Sequence, residues 1–389
     1  MLGQKRNLWP YLIKWEAVAG RADKVQRLTF GTTVVADGRL ARTLLTANRD
    51  DYQEQSGFLR IGAEPIGRST RSQVVQRALS GLASHDLPRT YDLHSELTAL
   101  GATSTRGLPH QGWGVRLMRR HFAAAMAYER DPRFQQLVDT YVEESVIPDD
   151  IRARRRGRYR AVDGVREELT CLFAAGQAVN DPPRDLIDAV SLADQPLTPP
   201  VMAELYQRLL LSMVGFTGVA LEWVVLLAAR NGVPPTTDEK LQDHIHETLR
   251  LHPTAWRLVR QARRDHAIGS HQLRSGEAVM IAIHAIHRDQ SVWPQAATFR
   301  PSRWHSLSPD QQASFLPFGK GNEMCPASRF AIQALVSCAR EIFQSYELSS
   351  HIRRRSRPRV LTLLAPPAGR TNLTPHVART IRNDEGTPR

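Results

Sequence analysis

The stretch FLPFGKGNEMCPASRF, residues 315–330, decides how the rest of the chain is read. A short apolar run leads into Gly319 and Gly321, two residues apart. A lone cysteine, Cys325, follows, then Pro326, then a pattern that predicts a helix from about Ala327 to Tyr346. Glycines at 319 and 321 remove side chains where the backbone must pass close to something flat or bulky. Phe318 can pack on the same object. Proline suits the first turn of a helix, where its missing N–H had no partner anyway. Cys325 is therefore expected at the mouth of a helix, where free N–H groups and the positive dipole end favour a thiolate.

The chain has only three cysteines, Cys171, Cys325 and Cys338, and none forms a CxxC pair. Disulfide scaffolds and structural zinc sites do not match that spacing. A cysteine that matters here acts alone, and a stable thiolate beneath a flat cofactor is what axial ligation of heme iron requires. At these residues the sequence resembles the cytochrome P450 family, whose loop runs Phe-Gly/Ser-x-Gly-x-His/Arg-x-Cys-x-Gly/Ala. Here Phe318, Gly319, Gly321, Cys325 and Ala327 match it. The resemblance implies heme b, with Cys325 as the iron ligand. One position departs. Glu323 stands where the family has a cation for a heme propionate, so it must turn away, be protonated or pair with an arginine.

Two further segments carry the resemblance. ETLR, residues 247–250, puts Glu247 and Arg250 one turn apart on a helix. That spacing alone fits a surface ion pair. The family joins such a pair to an arginine in a Pro-x-Arg-Trp segment, and PSRW, residues 301–304, supplies Arg303. In LHPTAWRLVRQA the resemblance implies that Arg260 meets a heme propionate, since a guanidinium matches a carboxylate bidentately. Trp113, Arg116 and Arg120 read either as a heme-facing helix or as a solvated basic one. His244, His246, His284 and His287 show no metal-ligand spacing. The likeness runs from about residue 205 to 346 and is faint before residue 200.

A long apolar helix, VMAELYQRLLLSMVGFTGVALEWVVLLAARNG, ends at Gly232 before Pro234 and Pro235. The family carries an acid and an alcohol on this helix that relay protons during oxygen activation. With Trp223 as anchor, Gly215 falls at the acid, Phe216 at the first threonine and Thr217 at the second. The usual pair is missing in that register, Gly215 and Gly218 let the helix deform, and Thr217 is the remaining donor. The departure leaves three activities open: monooxygenation with a non-standard proton supply, aryl or indole coupling of an aromatic or peptide substrate, and a catalytically silent heme protein. Glu222 reads as a helix-packing hydrogen-bonder.

The element order predicts a mainly α fold with small β-sheets: the P450 fold, with the long central helix over the heme. No regular βαβ alternation supports a doubly wound sheet. QRLTFGTTVVA, residues 26–36, reads as a hairpin, and QLRSGEAVMIAIHAIH, residues 272–287, as another with its turn at Ser275–Gly276. Residues 1–369 read as a single catalytic domain and 370–389 as a polar tail. The formal net charge of +13 fits an acidic partner or arginine-rich solvated faces. No zinc-finger or RNA-binding motif supports nucleic acid. The resemblance implies ferredoxin and ferredoxin reductase as electron donors and a small-molecule substrate. The N-terminus has charges where a signal peptide needs an apolar core, which reads as a cytoplasmic protein away from the membrane, and that character with the short length points to secondary metabolism.

Overall fold

The computed structural model describes residues 7–376, apart from 29–30, 47–50, 55–59, 62–63, 66–72, 75, 78–91, 102–106, 128–129, 144–154, 195, 233 and 322–323. Helices dominate. Those that position the site are α1 (Trp9–Ala19), α2 (Gly38–Thr46), α3 (Trp113–His121), α4 (Pro132–Tyr141), α5 (Arg155–Ala174), α6 (Pro199–Leu210), α7 (Thr217–Asn231), α8 (Asp238–Leu251) and α9 (Ser328–Ser345). Between α6 and α7 the chain stays helical but widens into a π-helical segment, Leu211–Phe216. The predicted long helix is therefore real, and it deforms one residue before Thr217. Its run from Pro199 to Asn231 is apolar and long enough to cross a membrane, yet 72% of its most apolar stretch is buried inside the protein. It is the axis of the largest core, which includes Trp113, Leu117, Met118, Leu221, Trp223, Leu226 and Ile342. Gly232, at a φ of 77°, closes the helix in the left-handed conformation that glycine tolerates.

Strands β1 (Val25–Arg27), β2 (Thr32–Val35), β3 (Tyr52–Glu54), β4 (Leu108–Pro109), β5 (Leu258–Ala262), β6 (Ala278–Ile281), β7 (Tyr346–Ile352) and β8 (Gly369–Pro375) form two sheets. The larger has the order β1-β2-β6-β5-β3, and the smaller β7-β8-β4. The predicted hairpin at 26–36 is present as antiparallel β1 and β2, with Val25 opposite Val35. Alternate apolar residues of this sheet, Val35, Val279 and Ile281, bury against Ala41, Leu44 and Leu45 of α2 and against Leu316, just ahead of the cysteine loop.

Three expectations are corrected. The turn at Ser275–Gly276 exists, with Gly276 at a φ of 83°, but its flanks do not pair with each other. His271–Leu273 folds back on His266–Ile268, whereas β6 pairs with β5 and with β2. Beyond β6 the chain turns into a short helix, Ile283–Ile286. Finally, residues 370–375 are not tail. They complete β8, which pairs along its whole length with β7. The strand alternates small and polar residues with a single large apolar one, Leu373, so its period was too weak to read. The rest of the proposed tail, 377–389, lies outside the described residues.

Candidate active site around Cys325

The cysteine loop is held by its own backbone. Cys325 N–H donates to Phe318 O at 2.9 Å, Gly319 N–H to Leu316 O at 3.1 Å, and Met324 N–H to Gly321 O at 3.1 Å. Gly319 and Gly321 take φ values of 75° and 65°, which other residues adopt at a cost. The structure also gives Gly321 a steric reason that differs from the expected one. A Cβ there would stand 2.8 Å from Leu45 O and 2.8 Å from the Thr46 methyl. It is the end of α2 that demands a glycine at this point. Phe318 packs against the main core. Helix α9 begins at Ser328, three residues after Cys325, with Ser328 N–H bonded to Cys325 O at 3.2 Å.

Burial pushes the Cys325 thiol up, and the Ala327 N–H on its sulfur pulls the other way without prevailing. The helix mouth alone therefore does not make the expected thiolate. A buried sulfur anion needs a positive neighbour, and a coordinated metal supplies one. Among the described residues no cluster of three or more His, Cys, Asp or Glu could hold a bare ion. One sulfur beside a backbone N–H suits an iron whose equatorial positions a macrocycle fills. The donor set thus fits heme b.

Behind the loop lies a buried polar network. Glu247 and Arg250 are both fully buried on α8. Arg250 Nε and Nη2 each donate to the Glu247 carboxylate at 2.9 Å. Arg303 Nε reaches the same carboxylate at 2.9 Å, and Trp304 Nε1 at 3.2 Å. Arg250 Nη1 binds His287 O at 2.7 Å and Ala296 O at 2.8 Å. Two guanidiniums on one carboxylate, with their remaining donors on carbonyls, compensate charges that burial alone would make costly.

His287, whose spacing suits no metal ion, is the connection to the loop. Its Nδ1 bonds Arg250 O at 3.1 Å, and its Nε2 accepts Leu316 N–H at 2.9 Å. Burial and the nearby Arg250 charge push its pKa down to about 3, so the ring is neutral and can accept at Nε2. Only a backbone contact reveals this role, and no spacing in the sequence announces it.

Arg260, on β5, is buried, and its Nη1 donates to Val259 O at 3.0 Å. Arg116 is paired with Glu143 at 2.7 and 2.8 Å, and Arg120 lies 3.7 Å from Glu96. Both are partly exposed, on the polar side of an amphipathic helix, the arrangement of the solvated reading of α3. The buried arginine of α3 is Arg119, bound to Gln135 Oε1 at 2.6 Å and to Asp139 at 2.9 Å. Glu323 lies outside the described residues.

On the central helix Gly215 and Thr217 are buried and Phe216 is half-buried. Thr217 follows the π segment directly. One residue on, α7 meets α3 with no space between backbones. A Cβ on Gly218 would stand 2.5 Å from Val115 Cα, and one on Gly114 would stand 2.8 Å from Glu222 Cγ. Glu222 then reaches across this seam, where Oε1 accepts Gly112 N–H at 2.6 Å and Gly114 N–H at 3.1 Å. The packing role expected for Glu222 is the one observed.

With the loop, its supporting network and the deformed helix assembled, the comparison with known proteins becomes specific. Residues 239–371 match the family model described as Cytochrome P450. The stretch that carries the cysteine loop and its buried network therefore has a cytochrome P450 sequence. It is 36% identical over 123 residues to "Cytochrome P450 3A12" of Canis lupus familiaris, covering 30% of this chain and 24% of that protein. It is 34% identical over 109 residues to "Bifunctional cytochrome P450/NADPH--P450 reductase 2" of Bacillus subtilis (strain 168), covering 28% of this chain and 10% of that one. The matches span about a quarter of the length of the first of these relatives. The fold likeness reaches further. P450 EryK in complex with erythromycin B aligns at a TM-score of 0.71 over 96% of this chain and 98% of the other, at 18% identity. A zebra fish cytochrome P450 structure with abiraterone aligns at 0.70 over 95% and 100%, at 20% identity. The P450 fold therefore covers the region before residue 200, where the sequence likeness is faint.

Proposed function

We propose that this P450 is a heme-thiolate oxidoreductase acting on a small molecule of secondary metabolism, with electrons from a ferredoxin through its reductase, in the cytoplasm. The observation that carries the reading is the buried relay from Glu247 through Arg250 and His287 to Leu316, which ends at the loop of Cys325. So many satisfied buried charges behind one loop hold a sulfur in a fixed place. A thiolate-ligated heme supplies oxygen-activating redox chemistry when bound. The chain's part is to present Cys325 on one side, to offer Arg260 to a propionate, and to shape the other side with Gly215, Phe216 and Thr217. Thr217 is the hydroxyl available to hold a proton there.

Phe216 favours a second reading within this class. An aromatic ring at the alcohol position removes a proton donor from the central helix, which suits oxidative coupling of an aromatic or peptide substrate better than hydroxylation. The test of the main proposal is the reduced carbon monoxide spectrum of purified protein. Wild type is expected to be red and to show the red-shifted Soret band of thiolate ligation. Cys325→Ala is expected to lose that band, and a variant that kept it would sink the reading. Product analysis against aromatic and peptide substrates separates hydroxylation from coupling.

A further inference from the structure

The seam between α3 and α7 contains an acid that the family-like register does not predict. Glu222 is 2% exposed. Its Oε1 accepts Gly112 and Gly114 N–H. Its Oε2 is buried without a partner. Gly112, at a φ of 94°, is the N-cap of α3 and has no side chain with which to cap it. The carboxyl of Glu222 thus does from another helix what a serine or aspartate does locally. Gly218 lies one turn before Glu222 on the same face of α7, and Gly114 opposes both with no room for a methyl group. The carboxyl is therefore held in a fixed place, in a dry seam that starts one residue after Thr217.

A carboxylate with both oxygens in such a seam would need donors on both. Here the Gly112 and Gly114 hydrogen bonds both go to Oε1, and none reaches Oε2. We infer that Glu222 holds a proton on Oε2 at neutral pH and is a positioning acid of this P450, displaced about two turns from where the family places its acid. The inference rests on the oxidoreductase reading for its catalytic meaning, but not for the proton itself. Burial pushes Glu222 up to about 8, against the pull of the Gly112 and Gly114 N–H groups, the Arg116 charge and the Val115 N–H. Arg116, on α3, is the described charged side chain that acts on it, and Glu143 partly neutralises that arginine. The native value lies above the unfolded one. The fold therefore keeps the proton below about pH 8, and the stability it contributes is complete below about pH 4.5 and is lost as pH rises from there to about 8.

The seam also explains why this proton matters to the site. Ionising Glu222 places a full negative charge at the start of α3, against the backbone junction with Gly218, the residue that follows Thr217. The helix that carries Thr217 then carries a charge that it lacks at neutral pH.

The experiment uses the heme-loaded protein and Glu222→Gln, which keeps an acceptor for Gly112 and Gly114 but cannot ionise. Infrared difference spectra between pH 6 and pH 9 are expected to show one protonated-carboxyl stretch that disappears with a midpoint near pH 8 in wild type and is absent from the variant. The alkaline limb of turnover is expected to follow the same midpoint, and to flatten in Glu222→Gln while circular dichroism stays unchanged. Absence of the carboxyl band at pH 7, or its persistence in Glu222→Gln, overturns the proton assignment. An alkaline limb unchanged in the variant overturns the catalytic role. Should Glu222→Gln not fold, Glu222→Asp serves instead, with a shifted midpoint expected and an unshifted one counting against the assignment. A protein that bound no heme would still show or lack the carboxyl band, so failure here is separable from failure of the oxidoreductase reading.

Discussion

His287 Nε2 accepts the backbone N–H of Leu316 at 2.9 Å, while the carbonyl of the same histidine receives Arg250 at 2.7 Å. One residue thus ties the buried ion network of α8 to the chain nine residues before Cys325. Replacing His287 by leucine leaves a buried N–H without an acceptor, which costs about 1–3 kcal/mol. The variant is expected to fold, with a lower melting temperature and less heme per protein. Absorbance ratios and thermal unfolding read both, and a variant that binds heme as wild type would show that the link does not position the loop.

Glu247 has five hydrogen-bond donors aimed at it, from Arg250 twice, Arg303, Trp304 and the Arg300 backbone. Glu247→Gln removes the charge that compensates two buried guanidiniums. Breaking a buried pair in this way costs about 3–5 kcal/mol. Arg303→Lys is expected to rescue little, because an ammonium cannot copy the guanidinium fork. Denaturant unfolding of Glu247→Gln and Arg303→Lys measures both losses.

Gly218→Ala puts a methyl group 2.5 Å from Val115 Cα, against backbone rather than a movable side chain. Overpacking of this kind costs about 1–3 kcal/mol. Because α3 and α7 must part, the variant is also expected to shift the substrate-induced spectral change. Gly164→Ala is the control, since nothing stands within 4 Å of a Cβ there. Equal stability of the two variants would contradict the tight seam.

Burial pushes His287 down to about 3 and His244 and His284 to about 4, from an ordinary value of 6.5. In each case the unfolded chain binds the proton more readily than the fold. Stability from these groups is complete above about pH 6.5 and is lost as pH falls towards 3–4. Tryptophan fluorescence during acid titration is expected to show unfolding beginning below pH 6.5. His244→Gln, whose side chain can still donate to Val224 O, is expected to move the onset to lower pH.

The sequence by itself determined the cysteine loop and the apolar run of the central helix, because these rest on local patterns of glycine spacing and helical periodicity; the family resemblance, not a local pattern, joined Arg303 to Glu247 and Arg250. Strand pairing was only partly legible. The 26–36 hairpin has a local turn, but β6 pairs with β2 across more than 240 residues of chain, and β8 has almost no apolar period. The reason for Gly321 lies in Leu45 and Thr46, which no local pattern connects to it. Tertiary structure alone decided that Arg116 and Arg120 turn to surface acids, that His287 joins the network to the loop, and that Glu222 caps α3 from α7. These depend on which backbone atoms meet in space. A hydrogen bond to a distant main-chain N–H leaves no trace in the identity of the residue that donates it.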